Sequence, residues 1–358
     1  MEKEKIKVKW KSDDSPGSFS TVLKKEVSVY FEQTGKSKKG TPILYLKTFV
    51  IFLLLGISYW YALYSASILM FGVIGLFVAL VGFNVMHDAS HGSYCDASIL
   101  GVKVNSILRF LGADVMGGAG AFWHQKHDIV HHTWTNIVGT DNDISRSPMF
   151  RFAPSHEWRW YHKYQHIYCW FLYPFLTIGW FYVHDFHTYK SKCIDKYSFK
   201  MSKRDKWEFW IGKSVHILLF VVIPIVFMGW KALIGLLLMH MVASLFLALV
   251  FQMAHIVKGL AFIPEKQIHI DDLWFVHELN TTANFASKSW LWTLLLGGLN
   301  YQVEHHLFRE ISHVHYPAVS KIVQDVCKRF NVSYHSFPTF SAAIVSHYQH
   351  LKQLGQAA

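Results

Sequence analysis

Between Thr48 and Met86 the chain runs for 39 residues without an Asp, Glu, Lys or Arg. One membrane crossing needs roughly 20 apolar residues, so this run predicts two spans, at about 48–65 and 68–86, with a tight turn at Tyr64-Ser65-Ala66-Ser67. A second run repeats the pattern: Ser214 to Trp230 and Ala232 to Val257 are uncharged, with only Lys231 between them. It predicts spans at about 214–230 and 232–254 that turn at Gly229-Trp230-Lys231. The fold class expected is an all-α integral membrane protein with four transmembrane helices in two hairpins, because adjacent uncharged runs of this length are uncommon in soluble cores. Two further stretches, Gly101 to Trp123 and Ile167 to Phe186, are too short or too interrupted to cross a bilayer and read as interfacial helices with aromatic rings at headgroup level.

Composition agrees with this reading. The 358 residues are 52% hydrophobic and 16% charged, which is richer in apolar side chains than soluble domains are and makes bilayer the default solvent for part of the chain. Met1 to Lys47 holds eleven lysines, whereas the two turns between paired spans hold only Lys231. The positive-inside rule then places both termini, and everything between the hairpins, in the cytoplasm. No apolar run follows the lysine-rich Met1 to Lys11 before Thr48, so no signal peptide is predicted. The net charge of +11 fits a face beside anionic lipid headgroups, or a docking surface for an acidic partner or phosphate-bearing substrate. No nucleic-acid-binding motif accompanies it, and no nucleic-acid partner is expected. Cys95, Cys169, Cys193 and Cys327 have no CxxC spacing and fall in the cytoplasmic parts of this topology, where thiols stay reduced.

The candidate chemistry lies in three histidine clusters flanking the spans: His87-Asp88-Ala89-Ser90-His91, His127-Asp128-Ile129-Val130-His131-His132, and Gln302-Val303-Glu304-His305-His306. Imidazole is the commonest protein metal ligand, and seven histidines with a glutamine exceed what one ion needs. His87 and His91 stand four apart, on one face of a helix continuing beyond the second span. His124, His127 and His131 fall on one helical stripe, with His132 pointing about 100° away, towards a second metal. His305 and His306 follow Gln302 by three and four residues. His255, at the end of the fourth span, is either a further ligand or a capping residue. A lone histidine pair is more often structural than metal-binding, but three clusters on one membrane side favour metal.

Zinc-peptidase chemistry is poorly supported, since His277-Glu278 is followed by Thr281, and His156-Glu157 by Trp160, where the second histidine of that motif belongs. All-nitrogen ligation without thiolate suits two irons and O2 activation. Asp88, Asp141, Asp143 and Glu304 are candidate acceptors for the outward nitrogens of ligand histidines.

In these residues the chain resembles the membrane fatty acid desaturases. The resemblance rests on the HDASH, HDIVHH and QVEHH boxes in that order, on the spans between the second and third, and on His255, and it covers roughly Thr48 to Tyr334. It implies a desaturase domain over 48–334 between a basic cytoplasmic arm (1–47) and a C-terminal tail (335–358). It further implies a cytoplasmic helical cap holding a di-iron site and an acyl tunnel, whose walls Gly101–Trp123 and Ile167–Phe186 can equally supply. The implied metal ligands are His87, His91, His127, His131, His132, His255, Gln302, His305 and His306. The cofactors are two iron ions, and the partners are a fatty acyl substrate (acyl-CoA or membrane lipid), O2 and the bilayer. His124 lies outside the family's box.

A third box that begins with Gln is similar to the front-end branch, and Asn300 to Tyr316 to bacterial linoleoyl-CoA-type members, which implies a bacterial inner-membrane location. No His-Pro-Gly haem signature of a fused cytochrome b5 occurs, so an external electron donor, a ferredoxin or a cytochrome b5-like protein, is expected. Arg309 stands where many members have Pro after the Leu-Phe pair. Two other readings stay open at this point: a histidine-box hydroxylase or ketolase, and a non-catalytic membrane receptor or metal-handling protein.

Overall fold

A computed structural model of the chain describes residues 9–11, 15–145, 148–194, 197–264 and 269–356; the first eight residues of the basic arm lie outside the described residues. Helix α1 (Phe19–Thr34) opens on Ser18, whose hydroxyl accepts from the Thr21 amide, and closes on Gly35 in the left-handed region. Its buried Leu23, Val27 and Phe31 recur every four residues and pack against Val319, Val323 and Val326. The arm is therefore a docked helix from Phe19 onward, followed by the start of the first span.

Among the described residues, four helices are long and apolar enough to cross a membrane: α2 (Pro42–Ser65), α3 (Ile68–Ser90), α4 (Lys203–Met228) and α5 (Lys231–His255). Each turn falls where the hydropathy breaks, at Ala66 (φ 47°) between α2 and α3 and at Gly229 (φ 60°) between α4 and α5. Two helices start earlier than the uncharged runs suggest. Lys47 lies inside α2, and the first residues of α4 are charged and capped by Ser202 and Asp205. Charge marks where hydrocarbon ends; the helix continues into the interface, where long cationic side chains reach water.

Side chains on the outer faces of these helices have no protein cover. Leu46 (63% exposed), Phe49 (62%), Leu69 (78%) and Val226 (75%) need hydrocarbon around them. Trp60 stacks on Tyr64 at the end of α2, and Trp230 sits in the α4–α5 turn, the positions of an aromatic belt. On the inner faces, α3 and α5 meet through small residues. A Cβ on Gly75 would lie 2.3 Å from the Met239 carbonyl oxygen, and one on Gly235 would lie 2.8 Å from the Phe71 ring. Backbones in hydrocarbon associate by such close packing.

Of the two stretches read as interfacial, the helix Ile99–Arg109 leaves Ile99 (80% exposed) and Leu100 (72%) bare on one side. The stretch 165–191 is a run of short helices broken by 3₁₀ and π turns, and it is not among the helices long and apolar enough to cross a membrane. Five wide π turns interrupt the described helices, at Gly82–Met86, Phe110–Asp114, His124–His131, Trp180–His184 and Leu218–Val222. The first leads directly into His87, and its Asn84 amide donates to the Leu80 and Leu295 carbonyls.

Beyond α5 lie α6 (Trp274–Thr281), α7 (Gln302–Leu307), α8 (Tyr316–Phe330) and α9 (Phe340–Gly355). The fold is not purely helical: Lys9–Lys11 pairs in parallel with His269–Leu273, Ala283–Phe285 in parallel with His335–Phe337, and Cys193–Ile194 antiparallel with Tyr197–Ser198. The segment expected as a C-terminal tail is thus a strand and a packed helix. On α9, His347 Nδ1 donates to the Ile256 carbonyl (2.6 Å), its Nε2 accepts from the Tyr173 hydroxyl (2.8 Å), and Leu351 is fully buried. A short amphipathic helix carries no membrane-length signal, which is why hydropathy alone leaves it out.

Gly75→Val should lower the thermal midpoint of the detergent-solubilised protein by several degrees, because the new methyls meet backbone. Gly56→Val, where nothing lies within 4 Å, should leave it unchanged. A thermal-shift series on the two variants checks this.

Candidate metal centre

The three clusters converge on one buried point. His87 and His91 lie at the inner end of α3, just past its π turn, and their rings are 4.8 Å apart. The second cluster lies on a π helix rather than an α-helix, and of the expected stripe of His124, His127 and His131 only the last two stay together, their rings stacked 5.3 Å apart. In a π helix, residues five apart are one turn apart. The His132 amide accordingly bonds to the His127 carbonyl, and the Nε2 atoms of these two residues lie 3.3 Å apart. His124 leaves the centre: its Nδ1 donates to Asp128 (2.5 Å) and its ring is exposed on one side. The third cluster is the buried helix α7, and His255 ends α5.

Ligand atoms of His87, His91, His127 and His305 all lie within 4.8 Å of one another. The same holds for His131, His255 and His306, and for His132 with His305 and His306. The adjacent residues His305 and His306 therefore face different groups, and His132 lies between the two. Around an ion with bonds of about 2.1 Å, neighbouring ligand nitrogens lie about 3.0–3.4 Å apart and opposite ones about 4.2 Å. The observed Nε2 contacts, His87 to His127 at 3.2 Å and His127 to His132 at 3.3 Å, fall in that range.

The outward nitrogens explain the inward ones. His131 Nδ1 pairs with Asp141 (3.0 Å), His306 Nδ1 with Glu278 (2.7 Å), His255 Nδ1 with the Thr281 carbonyl (3.2 Å) and His305 Nδ1 with the Tyr316 hydroxyl (3.2 Å). In all four, Nε2 is buried with no partner in the protein. An unpaired buried polar atom costs about 1–3 kcal/mol, and a bound metal removes that cost for every imidazole in the group. Gln302 Nε2 is also buried and unpartnered, and its side chain meets His255.

Electrostatics suit ligation. Burial holds His91, His127, His132, His305 and His306 below the ordinary imidazole range, as neutral rings with a free lone pair. His131 differs: burial pushes it down, but Asp141, Asp143 and Glu278 together outweigh that and hold it at about 9. Surroundings that favour a proton on this ring equally favour a metal cation. Residues of the chain thus fit a pair of metal ions held by nitrogen.

Comparison with known proteins decides the family. A model of the family "Fatty acid desaturase" matches residues 58–338. The chain belongs to the fatty acid desaturase family. It is similar, at 33% identity, to the sn-1 linoleoyl-lipid 6-desaturase of Arthrospira platensis, over 94% of this chain and 92% of that one. It is also 33% identical to the protein of the same description from Synechocystis sp., over 95% and 96% of the two chains. A third relative at 33% is the acyl-lipid (8-3)-desaturase of Physcomitrium patens, with 96% of this chain and 73% of that one aligned. The protein is an oxidoreductase, a fatty acyl desaturase, and the hydroxylase and receptor readings give way to this one.

For this desaturase the acceptors of the outward nitrogens differ in part from those expected. Asp141 holds His131, and Asp143 stands 3.6 Å from the same nitrogen. Asp88 instead accepts from Ser312 (2.7 Å) and His313 (2.9 Å), and Glu304 from Asn284 (2.7 Å) and Tyr334 (2.8 Å). Each of these two ties α3 or α7 to other segments of the chain rather than aiming a box histidine. Glu278 is the residue that sequence reasoning missed. In the sequence it stands out only beside His277 in an incomplete zinc motif, and nothing there places it 2.7 Å from His306.

Two cavities with mainly apolar walls reach the centre. One touches His87 and is walled by Val78, Gly82, Met86, Met116, Phe181 and Leu247. The other touches His131 and His255 and opens past Met149, Phe175 and Leu176. Trp123, Trp180 and Phe251 line both.

His306→Ala should abolish desaturation and Glu278→Ala should lower it about 10–100-fold, while His124→Ala retains measurable activity. Product formed per mole of protein in matched membranes measures all three.

Proposed function

We propose that the chain is a front-end desaturase of intact membrane lipids, working at two irons held by His87, His91, His127, His131, His132, His255, Gln302, His305 and His306. The observation that carries the proposal is the convergence of four outward-anchored imidazoles whose Nε2 atoms have no protein partner. His305 belongs to one iron and His306 to the other, with His132 between them. Bound iron supplies, with O2 and two electrons, the oxidising power that takes two hydrogens from adjacent methylenes.

The residues of the chain bind, orient and exclude water. The acyl chain lies in the apolar cavity beside His87 and bends at Trp123, Trp180 and Phe251 into the second cavity. Its polar end points towards Lys126, Gln252 and His184 in the second cavity. That cavity opens past Met149, Phe175 and Leu176, which are themselves exposed, and an acyl chain can enter there from the bilayer while its headgroup stays at the interface. The names of the relatives support a lipid-bound substrate and insertion between an existing double bond and the carboxyl end. The spans form two hairpins beneath a cytoplasmic cap, both termini lie in the cytoplasm of a bacterial inner membrane, and a separate protein delivers electrons; the lysine asymmetry supports this orientation.

Expression in a host whose membranes carry linoleoyl lipids should create a double bond on the carboxyl side of the existing pair, detected first in intact lipid by mass spectrometry. A hydroxylated product, or no product from protein that holds its metal and receives electrons, contradicts the reading. Active protein should contain close to two irons per chain, and a value near one overturns the pair.

Gln302 gives a second test. Gln302→Ala should lose activity and some iron, whereas Gln302→His should keep the metal even where rate or bond position changes. Wild-type iron and rate in Gln302→Ala would remove this residue from the ligand set.

A further inference from the structure

We infer that a basic funnel over His132 and His306 is the docking site of an acidic one-electron carrier protein, a partner assignment that rests on the desaturase reading above. Reduction of O2 to two waters takes four electrons and four protons. The two C–H bonds that break as the C=C bond forms supply two of each. The other two electrons and protons come from a reductant and solvent, and an iron–sulfur protein of the ferredoxin class, oxidised in two one-electron steps, balances the reaction.

Geometry selects the route. A third cavity has the edges of His132 and His306 at its floor and Lys24, Lys38 and Arg309 on its rim. It shares no lining residue with the two acyl cavities, which reach the centre through His87 and through His131 with His255. A carrier seated here therefore meets ligand imidazoles without displacing substrate.

Charge selects the partner. The Lys24 ammonium is 5.1 Å from the centre of the Phe275 ring and that of Lys38 is 5.8 Å from the Phe31 ring, so aromatic faces hold both cations at the rim. Arg309 donates to the Asp128 carbonyl and bridges the second and third clusters at the mouth. Among the described residues, Glu310 is the carboxylate lining the funnel, against three cations. Lys25 and Lys36 stand exposed nearby in sequence, and Glu26 is taken up by Arg329. Such a surface attracts an acidic protein and accelerates encounter in a salt-dependent way. A phosphate-bearing acyl carrier is the competing occupant. It is disfavoured because the cavities with mainly apolar walls, beside His87 and beside His131 with His255, share no lining residue with this one.

The test uses full-length, iron-loaded protein in vesicles of linoleoyl phosphatidylcholine, with electrons from a reduced acidic [2Fe–2S] ferredoxin or from dithionite with methyl viologen. In the double variant Lys24→Glu with Lys38→Glu, the ferredoxin concentration giving half-maximal rate should rise at least ~10-fold. Ferredoxin binding, measured separately by surface plasmon resonance, should weaken by a similar factor, and viologen-driven turnover should stay at the wild-type level. Lys24→Arg with Lys38→Arg should restore ferredoxin use. Unchanged ferredoxin dependence and binding in the charge-reversed protein overturn the assignment. So does an equal loss with both reductants, and so does weakened binding of linoleoyl-CoA, measured by the same surface plasmon resonance, with ferredoxin use intact. Wild-type protein that binds ferredoxin in a charge-dependent way but forms no product with either reductant would leave the docking site standing and sink the desaturase reading instead.

Discussion

A buried imidazole must satisfy two nitrogens, and at His131, His255, His305 and His306 oxygen atoms of the surrounding chain satisfy only the outer one. Asp141, Glu278, the Thr281 carbonyl and the Tyr316 hydroxyl each hold an Nδ1, which turns the corresponding Nε2 into a common interior with no protein partner. That arrangement is costly without a cation and stable with one, so the fold is built around an electron-pair-rich hole. The anchoring oxygens lie 10 to 28 residues from their histidines, and the segments that carry them are thereby fixed relative to the ends of the spans.

The membrane and the centre are coupled through helix ends. α3 delivers His87 and His91 where its apolar run stops, and α5 delivers His255 in the same way. Between them the close approach at Gly75 and Gly235 sets how far apart those ends lie. The π turns then re-aim what an α-helix would splay. At 100° per residue, His127 and His132 would diverge by about 140° on an α-helix; the wider turn instead brings their Nε2 atoms to 3.3 Å.

Much of this is legible in the chain. Uncharged length marks the spans and their turns, and histidine spacing marks the boxes, because both signals are local. Sequence also separates His124 from the boxes only through family resemblance; its structural reason, the π helix, has no simple compositional mark. Three features are not legible for the same reason, namely that they depend on contacts far apart in sequence. Glu278 reaches His306, Asp88 turns away from the boxes to His313, and α9 packs through His347 onto Ile256 and Tyr173. Hydropathy likewise cannot see where α2 and α4 begin, since helix and hydrocarbon do not end together.

The central claim is that two groups of nitrogen ligands, divided between adjacent residues His305 and His306, hold separate ions. Anomalous diffraction at the iron edge from crystals of the iron-loaded protein tests this directly. Two peaks are predicted, one among His87, His91, His127 and His305, the other among His131, His255 and His306. A single peak, or density bound by Glu278 or Asp141 instead of the imidazoles, would contradict the account.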